Sequence, residues 1–222
     1  MPTLAAIFMK IKILLSLALI GSISFNSCKQ GNSIEKYFEG SISYKFEVQA
    51  EKDSIKLLQE FGRGAILFFK NGNFIHKYES SIYVMDLYNQ KENKLYIRKR
   101  GSDSLLIVDC SLSGSQIESL ALNPKKETVL GILCDELVIH YKEKTVVDYF
   151  NSDTLKINPR WFRKFNFDEE NRIDQKEKSI FLKRKIIYPE YTLVQTATFI
   201  SPGKIDTNSF NLSDNAILIN LR

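Results

Sequence analysis

The run from Glu127 to Tyr141, Glu-Thr-Val-Leu-Gly-Ile-Leu-Cys-Asp-Glu-Leu-Val-Ile-His-Tyr, constrains this chain more than any other stretch. It is dense in β-branched and aromatic side chains, which fit a pleated sheet surface better than a helix. Thr145-Val-Val-Asp-Tyr-Phe150 follows after Lys142-Glu-Lys144, a charged three-residue turn. Two such runs around a short polar turn predict a β-hairpin. The rest of the chain shares the bias: aromatic residues make up 12% of its 222 residues, and Tyr and Phe far outnumber Trp. Hydrophobic residues at 44% and charged residues at 26% describe a globular body rather than a disordered one.

The predicted elements run in a simple order. Gly40 to Gln49 alternates strictly, with Ile42, Tyr44, Phe46 and Val48 on one face and Ser41, Ser43, Lys45 and Glu47 on the other. That is a half-buried antiparallel strand. Asp53 as N-cap and Gly62 past the end bound a short helix with Ile55, Leu58 and Phe61 on one stripe. Ala65–Phe69, a turn at Asn71-Gly72 and Phe74–Tyr78 form a hairpin. Ile82–Tyr88, with Tyr83, Met85 and Leu87 on one face, Lys94–Arg100 and Leu105–Cys110 follow as strands. Ser111 to Lys126 stays ambiguous, because Ser115 and Glu118 suggest a capping box while Pro124 bounds whatever forms there. Beyond the central hairpin come the aromatic cluster Arg160–Phe167 with the single Trp161, a charged solvated loop from Asp168 to Lys178, and a hairpin around Tyr188-Pro-Glu-Tyr191. About ten strands and one clear helix predict a mainly β fold, one strongly curved antiparallel sheet with one or two short covering helices. Trp161 and its neighbours are expected to cover the apolar face, and Tyr44, Phe46, Leu87 and Trp161 are the candidate ligand-binding residues there.

The N-terminus reads as an address. Lys10 and Lys12 precede the apolar run Ile13–Ile23, the build of a secretory signal and too short for a comfortable membrane span of about 20 residues. Met9 offers a second start. Ser27-Cys28 at the end of the run resembles the lipobox of bacterial lipoproteins, in which the Cys is lipidated and becomes the first mature residue. The domain reading is therefore a signal over residues 1–27, a lipidated tether over 28–33 and a single β-rich domain over 34–222. A cleaved soluble signal is the alternative. Lys29 stands where some bacteria place a retention Asp, which favours the outer membrane. The formal charge is +5, of which Lys10 and Lys12 supply two, so the body gives no sign of nucleic-acid binding.

No nucleophile elbow, P-loop, dinucleotide fingerprint or metal-spaced cluster appears, so no enzymatic activity and no cofactor are expected. His76 and His140 read as structural strand residues. Asp135-Glu136 and Glu169-Glu170 read as solvated turn residues, and Arg98-Lys-Arg100 and Lys183-Arg-Lys185 as basic sheet edges. Setting Cys28 aside leaves Cys110 and Cys134 as an even pair. Export to an oxidising compartment predicts a disulfide between them, provided their strands are neighbours. Two buried free thiols are the alternative.

The layout resembles the half-barrel of the LolA/LolB-like lipoprotein carriers, and more closely a group of uncharacterised envelope lipoproteins and GLPGLI-type proteins of Gram-negative bacteria. The residues carrying the resemblance are Glu127–Leu137, Tyr149-Phe150, Leu155–Pro159, Phe162, Thr196-Ala-Thr198, Ile205-Asp206 and Phe210-Asn-Leu212. It implies an envelope lipoprotein whose groove takes an apolar ligand or acyl chain. A structural or protein-interaction lipoprotein with a filled core is the rival. An open groove favours the first, and a face plugged by Trp161 and Phe165 favours the second.

Overall fold

A computed structural model describes residues 36–212 and 216–221 of the chain. The signal segment, Cys28 and the tether lie outside the described residues.

Two antiparallel meanders are joined by one strand. The first meander is β2 (Gly64–Lys70), β3 (Asn73–Tyr78), β4 (Tyr83–Asn89), β5 (Lys94–Lys99) and β6 (Ser104–Asp109). The second is β7 (Ile117–Val129), β8 (Ile132–Tyr141), β9 (Thr145–Phe150), β10 (Phe181–Ile187) and β11 (Tyr191–Pro202). β1 (Gly40–Ala50) pairs with β2 on one side and β11 on the other. β12 (Ile217–Asn220) adds to β6, and this pairing is parallel, unlike all the others. The result is a single open, curved sheet of twelve described strands, a half-barrel-like fold with two short helices. The faultless alternation of β1 suits a strand paired on both sides, since it buries Ile42, Tyr44 and Phe46 on one face.

Local chemistry explains the turns. Asn71 and Gly72 both have positive φ, 49° and 79°, as a tight hairpin turn requires. Gly72 is also needed for space, because a Cβ there would stand 2.6 Å from the Cβ of Trp161. Leu130 and Gly131, at φ 52° and 77°, make a second such turn. The run from Glu127 to Tyr141 is therefore not one arm: the turn splits it between β7 and β8. The hairpin expected at Lys142–Lys144 forms, closed by the Tyr141 N–H donating to the Lys144 carbonyl at 2.9 Å.

Other expectations are corrected. Most of the ambiguous 111–126 segment is strand β7. Pro124 is tolerated because β7 is an edge strand and its register with β8 shifts between Asn123 and Glu127. The basic runs do not lie on edges, since β5 sits between β4 and β6 and β10 between β9 and β11. The expected solvated loop at 168–178 is a 3₁₀ turn, Phe167–Glu169, leading into a helix, Glu170–Glu177. That helix buries Ile173, Asp174 and Glu177. It is α2 here, α1 being Ser54–Phe61. α1 lies at the rim with no buried residue, its Phe61 ring 5.6 Å from the Tyr191 ring.

The sheet is apolar on both faces. The main core, on the inner face, gathers Ile42, Tyr44, Phe46, Leu67, Phe69 and Tyr88 under Phe162 and Phe165. Leu87 does not join them. It belongs to a smaller cluster with Ile75, Tyr96 and Ile107, packed by Phe210 and Leu212. Alternation decides this: Leu87 pairs with Ile75, while the neighbouring Tyr88 pairs with Phe74 and takes the inner face.

The disulfide expectation is overturned as well. Cys110 and Cys134 are both free, buried thiols. Cys110 follows β6 and Cys134 lies on β8, and those strands stand near opposite ends of the sheet order, so the adjacency on which the bridge depended is missing. Burial pushes the Cys110 thiol up to about 12 and raises that of Cys134. Both act as small apolar side chains.

Candidate functional site

The inner face has two covers. Over the first meander lies the 3₁₀ turn Pro159–Phe162 and the residues after it. Asn158 starts this turn by accepting from the Arg160 N–H at 3.1 Å, with Pro159 already holding a helical φ. Phe165 stacks on Tyr88 at 4.6 Å between centroids, Phe162 on the same ring at 5.7 Å, and Trp161 packs against Phe69 at 6.1 Å. Polar contacts lock the segment down: Asn93 Nδ2 donates to the Lys164 carbonyl at 2.9 Å and the Asn166 N–H to the Cys110 carbonyl at 2.7 Å.

Over the second meander lies α2. Its entry is pinned by Asp168, which takes a 3.0 Å ion pair from Lys144 and offers its carbonyl to the Tyr141 hydroxyl at 2.9 Å. Ile173 packs among Leu137, Ile139, Val146 and Phe150. Glu170, Ile173, Asp174 and Glu177 recur at the spacing of one helix face. That face meets Arg184 of β10, whose Nε and Nη2 donate to the two oxygens of Asp148 at 2.7 and 2.6 Å. Asp148 is wholly buried, and the guanidinium also stands 3.8 Å from Glu170 and 4.2 Å from the centre of the Phe181 ring.

One guanidinium thus faces four carboxyl groups. Burial first, then the other carboxylates, raises Asp174 and Glu177 well above the usual carboxylate range. Glu170 is raised by burial, with Arg184 opposing. Burial alone would lower Arg184, but Asp148, then Glu170 and Glu177, outweigh it and hold the guanidinium charged. Two acid oxygens, Asp174 Oδ2 and Glu177 Oε1, are buried with no hydrogen-bond partner. Buried polar atoms are almost always paired, so these two call for an explanation.

They adjoin empty space. A cavity of about 120 Å³ is lined by Leu67, Phe69, Phe162 and Phe165 on one side and by Glu170, Asp174 and Glu177 on the other. A second, of about 210 Å³, is lined by Tyr44, Phe46, Tyr78, Asp86, Ile186 and Gln195. Phe74, His76, Phe181 and Arg184 line both, so the two meet along a shared wall. In that wall His76 Nδ1 and Asp86 Oδ1 are 2.9 Å apart, and the Tyr78 hydroxyl donates to Asp86 Oδ2 at 2.5 Å. Burial, then Asp86, keeps the Tyr78 hydroxyl well above its ordinary value and therefore a donor.

The four candidate ligand residues fare differently. Tyr44 and Phe46 line the larger cavity. Trp161 is part of the aromatic cover and is in neither lining, and Leu87 is on the opposite face. The sequence reading missed Arg184, Asp148, His76 and the acidic stripe of α2. One signal was present: Asp148 is a lone acid in the apolar run Val146-Val-Asp-Tyr-Phe150, and a buried acid demands a partner. Among the described residues no group of three or more His, Cys, Asp or Glu side chains is arranged to hold a metal ion. No helix of the described chain is long and apolar enough to cross a membrane.

No protein-family model matches the sequence, and no curated protein matches it either, so the GLPGLI resemblance finds no support there. Solved structures to which this chain is similar include PNGF-II, at 12% identity and TM-score 0.47, matching 82% of this chain and 32% of PNGF-II. This chain thus spans about a third of that protein's length. The Mycobacterium tuberculosis lipoprotein LppX is similar at 11% identity and TM-score 0.35, over 76% of this chain and 90% of LppX. LprF from Mycobacterium bovis is similar at 8% identity and TM-score 0.33, over 76% and 89% of the two chains.

Proposed function

We propose that this chain is a lipid-anchored protein of the cell envelope whose inner sheet face binds a small, largely apolar ligand. The observation that carries the binding role is the pair of cavities that share Phe74, His76, Phe181 and Arg184 in their linings. Each is smaller than a typical drug-sized site of about 300–1,000 Å³, and we take the two together as one longer groove. Aromatic walls with a few convergent polar groups are the usual build of a ligand site. The proposed role is binding rather than catalysis.

The anchor rests on sequence. Lys10, Lys12, the apolar run and Cys28 fit a lipoprotein signal, and Lys29 favours the outer membrane. Two or more acyl chains on Cys28 would hold the protein stably, each buried methylene contributing about 0.8 kcal/mol. A Cys28→Ser chain is expected in the soluble fraction, and its persistence in salt-washed membranes would refute the anchor.

A filled, ligand-free interaction module is the second reading. It is favoured by the Phe165–Tyr88 stack, which closes part of the same face. Native mass spectrometry of the exported Cys28→Ser chain separates the two. The binding role predicts a co-purifying small molecule that leaves under activation. A bare mass in every preparation, with no uptake of short-chain amphiphiles, supports the filled module.

A further inference from the structure

Building on the reading of the inner face as a ligand groove, we infer that the cavity beside α2 receives the charged head of an amine, which makes the ligand an amphipathic amine and not a fatty acid.

The argument begins with what the cavity lacks. Asp174 is 8% exposed and Glu177 is 3% exposed, both line the cavity, and one oxygen of each has no partner. An unpaired buried polar atom costs roughly 1–3 kcal/mol, and more when charged. A ligand that supplies donors to both removes that cost. A primary ammonium carries three donors and no acceptor, the complement of two orphan carboxyl oxygens.

Charge selects the same chemistry. Glu170, Asp174 and Glu177 line the space, and His76 is committed through Nδ1 to Asp86. The cation present, Arg184, is already occupied in bidentate fashion by Asp148 and stands near Glu170. A carboxylate or phosphate head would find the charge of that guanidinium already balanced by Asp148 and would meet the acids of α2 at close range. An ammonium favours the ionised form of each, so its entry draws off the protons that burial holds there. A bare metal ion is disfavoured, because the described carboxyl groups are not arranged as a coordinating set. The opposite wall is Leu67, Phe69, Phe74 and Phe162, apolar surface for an alkyl body.

The remaining alternative is water, which a polar cavity of about 120 Å³ also holds. Water does not discriminate between heads of different charge, and this sets the test. Hexylamine, hexan-1-ol and hexanoate are titrated calorimetrically into the soluble Cys28→Ser chain at about pH 8, where a primary amine stays protonated. The three share an alkyl body, so their ranking reads the head alone. Hexylamine is expected to bind about tenfold more tightly than hexan-1-ol, the scale of one charge-assisted hydrogen bond, with hexanoate weakest. In the double variant Asp174→Asn, Glu177→Gln the advantage of the amine over the alcohol should shrink, Glu170 alone remaining of the lining acids. Should that variant fail to fold, the ranking on the parent chain decides alone. Equal binding of amine and alcohol to the parent, or preference for hexanoate, overturns the inference and leaves the groove standing. An amine preference undiminished in the double variant also overturns it, since the head then sits elsewhere. Binding of none of the three defeats the groove reading, and the inference with it.

Discussion

Over β2 to β5 the inner face is covered by rings. Phe162 and Phe165 lie on Tyr88, Trp161 lies on Phe69, and the polar atoms involved are backbone carbonyls capped by Asn93 and Gln90. Over β8 to β10 the same task falls to a helix whose inward stripe is Glu170, Ile173, Asp174 and Glu177. The two covers differ sharply in energy. Aromatic pairs add about 0.5–1.5 kcal/mol each to the burial of their area. Buried ions must first be stripped of water, and replacing such groups with apolar ones often stabilises a protein. A chain that needed only a lid would gain more from a second aromatic segment. The acids of α2 are therefore best understood through what they face, namely a cavity and two unpaired oxygens. The aromatic cover explains stability, and the acidic cover points to a ligand.

The contrast can be broken by substitution. The largest loss is expected from Arg184→Ala, which leaves Asp148 buried without its counter-ion and should cost about 3–5 kcal/mol in urea unfolding. A loss under 1 kcal/mol would mean that Asp148 is protonated or hydrated, and the electrostatic account of this half would be wrong. On the aromatic side, Phe165→Ala removes a ring from Tyr88 and should cost about 3 kcal/mol, with little dependence on pH.

The pH response sharpens the same difference. Asp174, Glu177 and Glu170 hold protons more tightly in the folded chain than in the unfolded one. Between the ordinary carboxylate value of about 4 and their raised values the folded state binds more protons, so stability must fall as pH rises through that window. Glu39 is lowered, first by the Ile205 N–H, and Glu47 is lowered, first by Lys45. Their contributions are present above the ordinary value and fade as pH falls, a separate window on the acid side. Asp174→Asn with Glu177→Gln should therefore flatten the decline above about pH 4 and leave the acid limb intact. Unfolding curves at several pH values check this, and an unchanged decline counts against buried acids in α2.

The smallest expected effect concerns the thiols, one near each end of the sheet. Reducing agent should leave the unfolding midpoint unchanged, and Cys110 and Cys134 should react with a thiol reagent in urea but not in the native chain. A midpoint that drops on reduction would restore the bridge and require a different strand order.

Legibility in the sequence followed the same divide. Strict alternation made β1 readable, and Asn71-Gly72 marked the β2–β3 hairpin, because period and turn chemistry are local properties. The aromatic cluster around Trp161 announced itself as cover by composition alone. The acidic helix did not. Asp168 to Lys178 has one apolar residue at a core position, Ile173, and a window so charged reads as solvated by any local rule. What its inward stripe meets is the cluster around Ile173 and Arg184, a residue of β10 whose partner Asp148 comes from β9. Arg184 was hidden in turn between Lys183 and Lys185, which have Tyr149 as a shared partner and line neither cavity. Leu87 was misplaced for a simpler reason: alternation says which residues share a face, and says nothing about which face lies inside. The cysteine pairing failed because it needed strand order, and β1 separates the two meanders that carry the two thiols.

The central claim is that the two covers leave one continuous groove, and Phe74 tests it directly because its ring lines both cavities. Phe74→Trp should fill the junction at a cost of about 1–3 kcal/mol in stability, small enough for the chain to stay folded. Titration of hexan-1-ol into the Cys28→Ser chain with and without this change is the measurement. The account predicts that binding to the parent is lost in Phe74→Trp while the unfolding transition remains cooperative. Equal binding to both folded proteins would show that the alcohol sits elsewhere and would contradict the groove.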